Sequence, residues 1–216
     1  MRARVRTSQP VAFTAAGVLA LVLIAALAQP EAGVPPVVVR LAQFGLAGGA
    51  AYLLDDAAAQ LTTVTPPGPW RRRAPALSGG VAVLAASWTA VLLVLGWQDS
   101  APPVGTATGE LAVLALTAVA ASSVLVGSGD PEPGLRIAPP VVLLGISALI
   151  AESVLRTTLL LPWDGSGPGR GILGVWAAAA LVALAVLLLT SRDPAGRSAS
   201  LWVRSPRRRS TDSGSA

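Results

Sequence analysis

Tyr52–Arg73 reads Y-L-L-D-D-A-A-A-Q-L-T-T-V-T-P-P-G-P-W-R-R-R and lies between two long apolar runs. Two adjacent acids, Asp55 and Asp56, open it, and a helix-favouring Ala-Ala-Ala-Gln-Leu follows. Pro66, Pro67 and Pro69 break that helix, and Trp70 with Arg71, Arg72 and Arg73 closes the stretch. A helix leaving a bilayer, a short amphipathic foot, a turn and a basic anchor before the next span would read this way. The rest of the chain divides into membrane span or short connection on either side of this foot.

Composition demands the same class. Charged residues make up 12% of the 216-residue chain and hydrophobic ones 53%, where a soluble domain carries about 25% charged residues. With a mean hydropathy of +0.64, the surplus apolar surface has to face lipid. The expected fold is an all-α polytopic membrane protein of six transmembrane helices with the amphipathic foot on the cytoplasmic side between spans two and three. A spanning helix needs about 20 apolar residues, which places spans at about 11–28, 37–54, 77–97, 110–127, 137–161 and 171–190, within a domain of residues 1–190. Residues 191–216 are Arg- and Ser-rich and read as a disordered basic tail. The first apolar run, after Arg2, Arg4 and Arg6, can be a signal peptide or an uncleaved span; its length and the spans after it favour the latter. The fourth span is taken to begin at Glu110. The fifth is taken to begin at Ile137, which puts Pro139 and Pro140 in its first turn. In the second, Gly45 and Gly49 stand four apart, a spacing that suits close helix packing within a bundle.

The arginines orient the chain. The amino terminus, the foot, the Arg136 loop and the tail hold thirteen of them on one side, against Arg40 and Arg170 on the other. The positive-inside rule then places the foot and both termini in the cytoplasm, in a cell membrane. This topology also accounts for the pI near 11.4, so nucleic acid is not an expected partner. The Arg207–Arg209 cluster below Trp202 reads as a contact for anionic headgroups, at about 1 kcal/mol per charge.

No catalytic, metal or cofactor constellation is visible. The chain has no Cys and no His, so thiolate and imidazole ligands are excluded. All sixteen basic residues are Arg; without Lys there is no ordinary phosphate-binding loop for ATP. Glu152 and Arg156 stand four apart in the fifth span and can pair along one helix face. Arg156 would lie about 28 Å from the cytoplasmic end of that span, close to the far interface. The pair reads as a structural contact, with Arg40 as a possible third member, or as a contact for substrate or ion.

The run Leu53-Leu54-Asp55-Asp56-Ala57-Ala58-Ala59-Gln60-Leu61, followed by Thr65-Pro66 and Trp70-Arg71-Arg72-Arg73, resembles a pattern in permease subunits of actinobacterial ABC-type exporters. There a second span runs into L-D-D-P-A-A, a Ser/Thr-Pro turn and an Arg-rich start to the next span. The resemblance implies six spans, cytoplasmic termini, a homodimer and a separate ATP-binding subunit docking on the second-to-third connection. It assigns Asp55, Asp56, Thr65, Pro66 and Arg71 to Arg73 to that contact; the apolar Leu61 and Val64 join them from the residue reading. Ala57 departs from the usual Pro, and Thr65-Pro66-Pro67-Gly68-Pro69 is a loose version of the turn. The expected function is therefore an exporter permease without ATPase activity of its own. A non-transporting membrane scaffold or assembly factor, its foot binding something else, is the alternative.

Overall fold

The computed structural model describes residues 9–28, 34–55, 69–98, 102–128, 130, 132–155 and 170–191. Among them the chain forms six α-helices: α1 (Gln9–Ala28), α2 (Pro36–Ala51), α3 (Pro69–Trp97), α4 (Val104–Gly127), α5 (Pro133–Leu155) and α6 (Arg170–Ser191). A 3₁₀ turn, Tyr52–Leu54, extends α2. Five segments are long and apolar enough to cross a membrane: Pro36–Leu54, Leu77–Trp97, Val104–Gly127, Pro133–Leu155 and Gly171–Thr190. In α1 the apolar segment Gly17–Leu27 is shorter. This is an all-α polytopic membrane protein. A helix satisfies its backbone groups internally, which hydrocarbon requires.

Prolines set several helix starts. Pro36 opens α2 behind Pro35, where a missing N–H costs nothing and the fixed φ suits the first turn. Pro103 stands at the cap of α4, and the Ala107 N–H donates to its carbonyl at 3.0 Å. The helix therefore begins six residues before Glu110, which lies well inside rather than at the rim. Likewise α5 begins at Pro133, so Pro139 and Pro140 are interior to it, not in its first turn. Neither supplies an amide, and the Leu135 and Arg136 carbonyls thus lack their usual helical donors.

Side-chain contacts show that successive helices alternate in direction. Gly49, late in α2, meets Thr14, early in α1. Gln98, just past α3, donates to the Ala26 carbonyl near the end of α1 at 2.8 Å. Ser122 Oγ, late in α4, donates to the Ala51 carbonyl at the end of α2 at 3.0 Å. Thr190 Oγ1, late in α6, lies 3.0 Å from Ser123 Oγ. The start of α1, the end of α2 and the end of α6 thus share one end of the bundle, which also holds Asp55. Arg40 marks the other end.

Helix α2 is the centre, packed against α1, α4 and α5 and more lightly against α3, while α6 leans on α4. Of its spanning window 72% is buried, against 6% for α6. Its small residues let neighbours approach. A Cβ on Gly45 would stand 2.7 Å from Val18 of α1, and one on Gly48 3.1 Å from Val142 of α5. The glycine pair of α2 therefore packs within the bundle, where close approach gains dispersion contacts that apolar burial alone does not supply in lipid. One core seam joins Ala15, Val18, Val22 and Ala26 of α1 to Val39, Ala42 and Leu46 of α2 and to Trp88, Val91 and Leu95 of α3. Spacings of three and four residues keep each set on one helix face.

Candidate functional site: polar contacts at the two ends of the α2–α5 seam

At the Asp55 end, α2 tightens into its 3₁₀ turn and stops. The Asp55 N–H donates to the Tyr52 carbonyl at 3.2 Å, and Asp55 itself turns extended. Its side chain points toward α5, where Oδ1 accepts the Gly134 N–H at 2.8 Å. Gly134 is the second residue of α5, so a carboxylate 79 positions away satisfies one of the orphan amides of that helix start. A glycine is required there: a Cβ would run into the Tyr52 ring.

Asp55 is half-buried, and its carboxyl is pushed up to about 6. Burial is the main cause; the carboxylates of Glu132 and Asp130 raise it further, and the Gly134 N–H pulls the other way. Asp130 is itself held, its Oδ1 accepting the Glu132 N–H at 3.1 Å and its Oδ2 lying 3.0 Å from Arg136 Nε. Arg136 is 72% exposed, so that ion pair contributes little.

At the other end, Arg40 Nη1 and Glu152 Oε2 form an ion pair of 2.7 Å between α2 and α5. One turn along α2, Gln43 Nε2 donates to the Ala107 carbonyl of α4 at 2.8 Å. Glu110, one turn further along α4, is 1% exposed, as is Gln43. Trp88 Nε1 donates to Thr108 Oγ1 at 3.0 Å, which ties α3 to the same level. Four helices thus place one guanidinium, two carboxylates, an amide and an indole in the half of the bundle that holds Arg40. Burying an ion pair costs desolvation of both partners, so such a pair is weak evidence for stability and stronger evidence for a fixed register or a working contact.

No protein-family model, curated protein or solved structure matches this chain.

The residues singled out from sequence fall in three groups. Asp55 is at the root of the α2–α3 connection and bonded to α5. Arg71, Arg72 and Arg73 are the third to fifth residues of α3, and Glu152 pairs with Arg40 across the bundle. Asp56, Leu61, Val64, Thr65, Pro66 and Arg156 lie outside the described residues. Two participants were not singled out. Gln43 carries no local signal among its apolar neighbours. Glu110 served only as the edge of an apolar run; Pro102-Pro103, eight and seven residues upstream, was the mark of the true helix start.

Proposed function

We propose that this chain is the membrane-spanning permease subunit of an ABC-type exporter, worked by a separate ATP-binding subunit that docks on residues 55–73. The observation that carries the reading is the Gly134 N–H to Asp55 Oδ1 hydrogen bond. It joins the root of the foot to two helices at once: α2, the buried centre, and α5. A push on the foot from an ATPase closing on nucleotide would reach the central seam without a flexible intermediary. The chain has no Lys and so no ordinary phosphate-binding loop; its energy would come from the partner. In this reading α1 is a sixth span, both termini and the foot face the cytoplasm, and two copies form the permease. Asp56, Leu61, Val64, Thr65, Pro66 and Arg71 to Arg73 complete the docking surface.

The test is a pull-down of the tagged full chain from native membranes in mild detergent. An ATPase with a phosphate-binding loop should co-purify, and Asp55→Ala with Asp56→Ala should weaken its recovery while membrane insertion is unchanged. Recovery of other membrane proteins but no such ATPase would replace the exporter with a scaffold.

A further inference from the structure

We infer that the α2–α5 seam is a joint closed by two separate polar clasps, Arg40–Glu152 at one end and Asp55–Gly134 at the other, each able to open while the other holds. The inference deepens the exporter reading, since it names the helices that part, but it is a property of this chain alone.

The two clasps join the same pair of helices. Arg40 and Asp55 are fifteen positions apart in sequence, about 22 Å along a helix, so the contacts bracket most of a bilayer's thickness. Between them the seam is apolar and small. The Phe44 ring lies on Gly145, Gly48 lies on Ala138 and Val142, and Ala51 clusters with Ala138. Contacts of that kind give dispersion energy without directional bonds to hold a register.

The α2–α4 seam differs. It too is tied near both ends, by Gln43 to the Ala107 carbonyl and by Ser122 to the Ala51 carbonyl. These are neutral hydrogen bonds, from side chains at 1% and 0% exposure. Neither carries a charge for an approaching ion to compete with. Both α2–α5 clasps instead rest on a carboxylate that is not sealed: the Glu152 side chain is 22% exposed and Asp55 is half-buried. An approaching charge or a pull on the foot can act on either. The spanning segment of α5 is 11% buried, against 72% for that of α2, and besides α2 it packs on α4 through apolar contact, Ala118 joining Ala51 and Ala138. Helices α2 and α4 therefore form the fixed body, and α5 is the element that swings. Opening one clasp at a time is what alternating access to the two sides of a membrane requires.

The natural absence of Cys makes the test clean. Spin labels are placed at Val37→Cys, in the first turn of α2, and Val154→Cys, in the last turn of α5; these sites are 49% and 71% exposed. Their separation is measured by pulsed electron resonance on the full chain in nanodiscs, with hydrogen exchange at the Gly134 amide as the readout for the far clasp. Glu152→Gln should add a second, longer separation and leave Gly134 protected, and Arg40→Glu with Glu152→Arg should restore the single short one. Asp55→Ala should speed Gly134 exchange about tenfold, the size expected for one lost charge-assisted hydrogen bond, and leave the label separation unchanged. If Glu152→Gln does not fold, Glu152→Asp, which shortens the reach and keeps the charge, carries the same expectation. The inference is overturned if the Glu152 variants leave the separation unchanged, if the reversed pair does not restore it, or if either lesion loosens both ends together. None of these outcomes depends on an ATPase, so a failed pull-down and a failed joint are separate results.

Discussion

Replacing Asp55 with Asn should abolish a pH dependence of stability whose sign is set by the structure. The carboxyl, ordinarily near 3.8, stands at about 6 in the folded protein. The folded state therefore binds this proton more tightly than the unfolded one. The stabilisation is complete below pH 4 or so, fades as pH rises through 6, and is gone above about pH 7. That rise corresponds to about 3 kcal/mol. Asp55 is half open to water, so screening reduces this to about 1.5 kcal/mol. For a chain of this size that is a melting shift of about 3 to 6 °C. Asn keeps an oxygen to accept the Gly134 N–H and carries no charge to repel Asp130 and Glu132. Tyr52 and Arg136 are the other ionisable groups at this junction, and the Asn variant retains both. Thermal unfolding of both proteins in one detergent, from pH 3.5 to 8, is the assay. The variant should melt higher than the parent by this margin at pH 7.5 and together with it at pH 3.5. A parent-minus-variant difference that is flat with pH, or a variant that is less stable at pH 7.5, would refute the reasoning.

Two further outcomes follow from the packing and the topology. Gly145→Ala puts a Cβ into the Phe44 ring and should cost about 1–3 kcal/mol, read as a lowered melting temperature; Phe44→Leu in the same chain should recover part of it, and Gly174→Ala, with open space around it, should be neutral. With both termini in the cytoplasm, a membrane-impermeant thiol reagent applied from outside should label Trp97→Cys, at the Arg40 end and 81% exposed, but not Ser128→Cys at the Asp55 end; the reverse pattern would invert the orientation.

The exposed helices were legible because lipid imposes a composition: Gly171–Thr190 is apolar enough to be recognised without any knowledge of its neighbours. Charged residues misled where they stood inside helices. Glu110 looked like a boundary because a carboxylate at the end of an apolar run is usually one; in the bundle it is buried, level with other polar groups. Pro139 and Pro140 looked like a first turn because interior prolines are costly, yet the helix starts at Pro133. The α5 contact of Asp55 had no local sign for a different reason: the Gly134 amide it accepts is 79 positions away in sequence.

By itself, then, the sequence determined the solvent and the architecture: an apolar, Lys-free, Cys-free chain whose lipid-facing mass has to be helical, with its arginines gathered on alternate connections. It did not determine which helix is central or which charges meet. In water the buried face of a helix shows as a periodic contrast between apolar and polar residues. In lipid both faces are apolar, so that contrast is lost. Only the tertiary structure placed α2 at the centre, joined Arg40 to a carboxylate 112 positions away, and set Asp55 against the start of α5. Those contacts depend on interhelical distances of a few ångströms, and small residues such as Gly48 and Gly145 permit that approach without specifying the partner.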